Sequence, residues 1–286
     1  MRRTIPCAFD FFTEDITMDK ASLINRYAKT PEQRVMFAHI LDLALRSENR
    51  NTVESGNFLP ESDADTVSDM LRSAGIHNYI LFGGCDGAER KCPVFLPDYL
   101  TEDDITASPA LAGIAFATAE VNRFDLDRAD FTHRDCLGAL MGLGIERETV
   151  GDIVCSGGKA VIVLKPGVAE LVKNELDSIG RFRVTVSVGD TAVMERHDDS
   201  VELSDTVASM RLDAVCASVF RLSRGAAAEA VGRGLVAVNG SEASKPDAQV
   251  TEGDKISLRG KGRAVIGKTA GTSKKGRIRF EYKKYR

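Results

Sequence analysis

The residues best suited to binding chemistry stand near the end of the chain, where arginines flank a serine that can begin a helix. Ser223 and Arg224 follow a short apolar helix-like segment, and Arg211 and Arg221 stand on either side of that segment. The free amides of a helix's first turn, together with guanidinium groups, form a site for phosphate oxygens. A serine at this position is also an ordinary helix N-cap, and one residue can fill both roles.

Further basic residues follow towards the end of the sequence. They extend the candidate anion-binding set by Arg259, Lys261, Arg263, Lys268, Lys274, Lys275 and Arg277. The alternative interpretation of this set is a solvated basic face. The final segment, RIRFEYKKYR, has two interpretations. It is either a basic and aromatic contact for nucleic acid or one more strand whose rings face the core.

Charge is distributed unevenly along the 286 residues, although the net charge is only −4. Residues 211–286 hold 17 Lys and Arg and 7 Asp and Glu, a net charge of +10, whereas the residues before them hold 21 and 35, a net charge of −14. Asymmetry of this size is typical of a polyanion-binding module joined to an acidic body.

A second candidate anion site lies in the middle of the chain. Its four basic members are Arg90, Lys91, His133 and Arg134. The glycine pair at positions 83 and 84 favours either a loop that approaches an anion closely or a plain turn.

Two carboxylate patterns invite an enzymatic interpretation and do not support it. His133-Arg134-Asp135 resembles a kinase catalytic loop, but Leu140 stands where that loop needs asparagine. Thr132 and Asp135 have the spacing of a capping box. Asp213 follows Arg211-Leu212 in a pattern that pseudouridine synthases also contain, and we expect it to pair with arginine or cap a helix. No catalytic residue is predicted. An RNA-modifying enzyme that uses Asp135 or Asp213 is the alternative.

Composition argues against several other classes of site. The six cysteines have no CxxC pair, so we expect reduced thiols and no metal site. The glycines near Leu143 lack the spacing of a dinucleotide loop, and no cofactor is expected. No apolar run reaches about 18 residues, and the first residues do not read as a targeting segment. We therefore expect a cytoplasmic protein without a membrane partner.

The pattern of elements predicts a multidomain α+β chain. We expect an N-terminal helical region at 1–76, a central α/β domain at 77–190, a linker at 191–208 and a C-terminal domain at 209–286. The central domain shows the order βαββαβ, which is the ferredoxin-like arrangement. The C-terminal domain reads as a helix pair followed by a small sheet, with a tight turn at Asn239-Gly240. The segment KAVIVL lacks the paired aromatics with which an RNA recognition motif stacks bases.

Motifs in the C-terminal part resemble the RNA-binding domain of small-subunit ribosomal protein S4, here called the S4 domain. They are Arg211-Leu212-Asp213, Ser223-Arg224, the segment GLVAVNG at 234–240, and Val250 followed by Gly253-Asp254 and Ile256. The resemblance implies that a pair of short helices lies against the backbone of structured RNA.

Upstream segments resemble the YlmH family. They are Gly83-Gly84, GAER at 87–90, PDY at 97–99 and the stretch at 132–153. The resemblance implies a central RNA-binding domain ahead of the S4 domain and contacts with rRNA and tRNA on the ribosome. It also implies a non-enzymatic role on stalled large subunits in ribosome-associated quality control. A protein-interaction adaptor linked to cell division is a further alternative.

Overall fold

The computed structural model of the chain describes residues 12–192, 200–272 and 276–285. Lys274 and Lys275 lie outside the described residues. The chain divides into two compact units, Met1–Arg196 and His197–Arg286, and each is described by itself.

The first unit begins with helices whose apolar faces pack together. Their bounds are α1 Phe12–Tyr27, α2 Pro31–Arg50 and α3 Glu61–Ser73. Thr30 caps α2 as the sequence predicts, because its side-chain oxygen accepts a hydrogen bond from the Gln33 amide at 3.2 Å and Pro31 occupies the first helical position. Phe37 and Leu41 of α2 are fully buried against Val67 of α3 and Phe95.

A small antiparallel sheet packs beside the helices. Its strands are β1 Glu54–Ser55, β2 Tyr79–Phe82 and β3 Cys92–Phe95, in the order β1-β3-β2. Phe95 of β3 belongs to the core of the helices. The helical region therefore shares its core with residues beyond the boundary expected at residue 77.

The central sheet supplies the rest of the first unit. A short helix, α4 Glu102–Ala107, precedes it. The elements that follow are β4 Ala115–Val121, α5 His133–Gly142, β5 Val150–Ser156, β6 Lys159–Leu164, α6 Pro166–Glu175, β7 Ser178–Ile179 and β8 Phe182–Gly189. All its pairs are antiparallel, in the order β5-β6-β4-β8-β7. Apart from the short β7, this is the succession expected for the region. Gly157 and Gly158 form the hairpin turn, both with positive φ.

The second unit is a helix pair on a six-stranded antiparallel sheet. Its elements are β9 Val201–Val207, α7 Leu212–Val219, α8 Arg224–Gly232, β10 Val236–Val238, β11 Ser241–Glu242, β12 Lys255–Leu258, β13 Gly262–Thr272 and β14 Ile278–Tyr285. The strand order is β11-β10-β12-β13-β14-β9. The helices cover one face, where Phe280 and Tyr282 are buried with Val215 and Ile256. The final segment is thus a strand, and two of its three aromatics face the core.

The expectation of a linker at 191–208 is wrong for its second half. Residues 201–207 form the edge strand β9, which pairs with β14 along its whole length. Five of its seven side chains are exposed. Val201 and Leu203 alternate with polar residues but lie among the exposed ones, and Asp205 interrupts the pattern, so the sequence signal for a strand is weak. Its backbone hydrogen bonds hold it in the sheet.

Within the residues described, no helix is both long enough and apolar enough to cross a membrane.

Candidate nucleic-acid interface

The turn between α7 and α8 fixes where the second helix begins. Helix α7 ends in a Schellman motif, in which the Leu222 amide donates to the Ala217 carbonyl at 2.9 Å and the Arg221 amide donates to the Ser218 carbonyl at 3.4 Å. Arg221 takes the left-handed conformation, with φ of 54°, and its side chain is exposed. The N-cap of α8 follows two residues later.

Ser223 is the N-cap of α8. Its hydroxyl oxygen accepts a hydrogen bond from the Ala226 amide at 3.1 Å. The amides of Arg224 and Gly225 belong to the first turn, which lacks carbonyl partners within the helix. Both residues are exposed, so this end of α8 presents amide hydrogens and the positive end of the helix dipole to solvent. The capping role is therefore present, and an anion site at the same place stays a prediction.

The carboxylate of Asp213 joins two arginines from different elements. Arg211 donates to both its oxygens at 3.2 Å, and Arg224 donates through Nε to Oδ2 at 3.1 Å. The Asp213 side chain is 7% exposed, whereas those of Arg211 and Arg224 are 40% and 56% exposed. One buried negative charge thus aligns two positive charges whose outer faces stay open to solvent.

The electrostatics of the trio follow from this geometry. Burial by itself would raise the pKa of the Asp213 carboxyl, but the hydrogen bonds from Arg211 and Arg224 outweigh it, so its pKa is lowered. Asp213 is therefore ionised at neutral pH, and the expected pairing of this residue with arginine is confirmed. Two guanidiniums against one carboxylate leave a net positive charge at the base of α8.

Arg277 lies at the same edge of the unit. Its guanidinium donates to the Thr206 carbonyl at 2.6 Å and to the Thr206 hydroxyl at 3.2 Å. A shallow cleft of about 310 Å³ lies between the helices and β9. Arg224 and Arg277 line it together with Asp205 and Ser218. We call Arg211, Arg221, Arg224 and Arg277 the cationic edge.

The remaining basic residues of the predicted set lie elsewhere. Arg259 and Lys261 occupy the turn between β12 and β13, where the Arg259 amide donates to the carbonyl of Leu235, just beyond the far end of α8. Arg263 alternates with the buried Ala264, which places it on the sheet face away from the helices, 4.7 Å from the centroid of the Tyr285 ring. Lys268 is exposed on β13. The structure therefore groups four of the predicted cations at the cationic edge and places Arg259, Lys261 and Arg263 away from it.

Arg90 of the second candidate anion site is committed to backbone carbonyls. Its guanidinium donates to Phe58 at 2.7 Å, to Val150 at 3.0 Å and more weakly to Arg147. Burial, and then the nearby charge of Arg147, lower the pKa of Arg90 to about 10. The arginine thus joins the segment before α3 to the start of β5, and this geometry favours a structural role.

The other three members of that site differ in exposure and charge. Desolvation, with the positive charge of Arg147, lowers the pKa of His133, so its ring is neutral at pH 7. Arg134 is exposed and Lys91 is half-buried.

The capping box at the start of α5 is confirmed, because the Asp135 carboxylate accepts hydrogen bonds from both the amide and the hydroxyl of Thr132 at 2.8 Å.

One contact at the helix pair has no signal in the local sequence. Lys284, on β14, donates from Nζ to the Val219 carbonyl at 3.1 Å and lies 5.5 Å from the centroid of the Phe220 ring. A cation there satisfies the last turn of α7 and its negative dipole end. Residues 219 and 284 are brought together by the sheet, so only the tertiary fold reveals the pair.

Comparison with known proteins gives two family matches and related chains. Residues 121–192 match the family described as "Putative RNA-binding domain in YlmH", and residues 210–256 match the S4 domain. The chain is 36% identical over 209 residues to "Ribosome-associated protein quality control protein P2" of Bacillus subtilis (strain 168), covering 71% of this chain and 77% of that protein. A solved structure, "Cell division protein ylmH from Streptococcus pneumoniae", is 18% identical with a TM-score of 0.43, covering 57% of this chain and 93% of that one.

Proposed function

This chain belongs to the YlmH family, and from that premise we propose that it is a non-enzymatic RNA-binding protein that acts on the ribosome. The S4 domain supplies the affinity, and the cationic edge makes the contacts with phosphate. We assign RNA binding to the C-terminal part because residues 211–286 carry a net charge of +10, whereas the rest of the chain carries −14.

The observation that carries the proposal is the aligned pair of Arg211 and Arg224. Asp213 fixes both guanidiniums on a buried carboxylate, so less side-chain freedom is lost when they meet a phosphate. Preorganised guanidiniums donate paired hydrogen bonds to phosphate oxygens more strongly than neutral groups do. The exposed first turn of α8 adds amide donors beside them.

Arg221 supports the same assignment. A residue with a side chain costs about 1 kcal/mol in the left-handed conformation, where glycine fits without strain. An arginine at this position contributes an exposed positive charge between the two helices. The charge gives a reason for arginine rather than glycine at this helix end.

The mechanism is positional. Contacts with sugar and phosphate hold a folded RNA in register, and no bond is made or broken. Asp213 is the carboxylate that pairs with two arginines of the cationic edge. Its side chain is only 7% exposed and is enclosed by these arginines, which disfavours its use as a catalytic base on RNA.

The proposed cellular role is supported by the Bacillus subtilis relative, a ribosome-associated protein quality control protein. We propose that the RNA partners are rRNA and tRNA on a large ribosomal subunit whose translation has stalled, in the cytoplasm. No metal, cofactor or membrane takes part in this proposal.

Crosslinking in cells followed by sequencing of the bound RNA tests the proposal. We expect reads concentrated on large-subunit rRNA and tRNA, and their loss when Arg221 and Arg224 are both replaced by Ala. Reads spread evenly over all cellular RNA, or dependent on residues outside the cationic edge, would contradict it.

A further inference from the structure

The sheet face on which an RNA recognition motif stacks bases is blocked in the central domain. Phe116 of β4 and Val163 of β6 lie on the face opposite α5 and α6, and both are buried. They pack against Phe58 and Ile114 from the preceding part of the same unit. Bases cannot stack on this part of the sheet. An RNA contact of the central domain has to use another surface.

The aromatic residues of this domain are few. Residues 121–192 contain three phenylalanines and one histidine, His133, and no tyrosine or tryptophan. Phe131 and Phe182 contact each other with ring centroids 6.3 Å apart, and Phe182 is buried. The side chain of Phe124 is 92% exposed. Phe124 is thus the phenylalanine of residues 121–192 whose ring is most open to a base.

An ordered turn holds Phe124 outside the core. The Asn122 side-chain oxygen accepts the amides of Phe124 and Asp125 at 2.9 and 3.1 Å. The turn starts directly after β4, where the Val121 amide donates to the Gly158 carbonyl at 3.0 Å. An exposed phenylalanine forgoes the burial that stabilises such side chains elsewhere. The turn thus fixes the backbone that carries the ring, and the exposed ring is what base stacking requires.

We propose that Phe124 stacks on a nucleobase of a single-stranded RNA segment. Arg123 and Arg128, both exposed on the same turn, contact the phosphates on either side of that base. This inference rests on the proposed function and adds a second RNA contact outside the S4 domain. Two aspartates balance the two arginines in residues 122–128, so stacking rather than net attraction carries the contact.

The test uses the full chain and a short single-stranded RNA that carries one 2-aminopurine, whose fluorescence is quenched by stacking. We expect quenching by the unaltered chain and by Phe124→Tyr, which keeps an aromatic ring. Phe124→Leu keeps an apolar side chain without the ring, and we expect it to lose the quenching and about tenfold in affinity. Leu111→Ala is the matched control, because Leu111 is an exposed apolar residue of the same unit outside the turn.

The outcomes separate this inference from the proposed function. Equal quenching and affinity for Phe124→Leu and the unaltered chain would overturn the stacking role while RNA binding stands. An unchanged RNA affinity combined with lost binding to ribosomes would assign the ring to a protein partner and would overturn the inference too. If the unaltered chain does not bind the single-stranded probe, this inference fails while the proposed function stands; if it also fails to bind large-subunit rRNA, the proposed function fails too.

Discussion

The Nε of Arg224 lies 3.1 Å from Oδ2 of Asp213, although the two residues belong to different helices. The same carboxylate accepts two hydrogen bonds from Arg211. This contact ties the start of α8 to the start of α7. It therefore serves the fold and the candidate RNA surface together.

Replacing Asp213 by Asn tests both consequences. We expect the free energy of unfolding of the C-terminal unit to fall by about 2 kcal/mol, because a buried charged hydrogen-bond network is lost. RNA affinity is expected to fall as well, although the substitution adds positive charge, because Arg211 and Arg224 are no longer aligned. Urea unfolding and RNA titration measure the two effects.

Glu252→Gln is the matched control for that experiment. Glu252 is exposed in the same unit, and its replacement makes the same change in net charge without touching the arginines. We expect unchanged stability and an equal or slightly higher RNA affinity. A gain in RNA affinity for Asp213→Asn would mean that the carboxylate repels RNA and does not position the arginines.

The stability of the C-terminal unit should depend on pH through Asp213. Its pKa is lowered in the folded chain, so its contribution to stability is complete above the unfolded value of about 3.9 and is lost as the pH falls through the folded pKa. Denaturant unfolding between about pH 5 and about pH 3 should show a steeper loss for the unaltered chain than for Asp213→Asn. Parallel curves would show that Asp213 makes no such contribution.

Arg90 should matter for the fold of the first unit and not for RNA. Arg90→Met keeps the length of the side chain but removes the donors to Phe58 and Val150, so we expect a loss of about 2 kcal/mol in unfolding free energy. RNA affinity is expected to stay unchanged at a temperature where the variant is folded. Unchanged stability with weakened RNA binding would restore Arg90 as an anion ligand. Arg134→Met, at an exposed position, is the control for stability.

Asp135 separates a capping residue from a catalytic one. Asp135→Asn should weaken the start of α5, because the carboxylate accepts two hydrogen bonds from Thr132. RNA exposed to the unaltered chain and to the variant should show the same nucleotide composition by mass spectrometry. A modified nucleotide that appears with the unaltered chain alone would favour the RNA-modifying enzyme.

Local signals in the sequence were enough for the caps and for many of the elements. Thr30, Thr132 and Ser223 each begin a helix, because a capping side chain bonds to an amide within three residues. Contacts between distant residues left no such signal. The pairing of β9 with β14 and the contact of Lys284 with Val219 depend on the order of strands in the sheet. The sequence predicts Arg90 as an anion ligand because its true partners, the carbonyls of Phe58 and Val150, are remote in the chain.

The structure shows which of the predicted basic residues lie together, and the RNA contact itself stays a prediction. Composition alone cannot tell which face of a strand a basic residue occupies, and the pleat turns Arg263 away from the helices. Arg277, by contrast, reaches the cleft beside Arg224 because β14 runs next to β9.

The affinity of the full chain for large-subunit rRNA, measured over a range of salt concentrations, tests the cationic edge most directly. The account predicts that Arg221→Ala with Arg224→Ala weakens binding by about 1–3 kcal/mol and lowers the salt slope by about 2. Arg279→Ala removes an exposed charge from the opposite face of the sheet and should have a much smaller effect. Equal affinity for the double variant and the unaltered chain, or a larger loss for Arg279→Ala, would contradict the account.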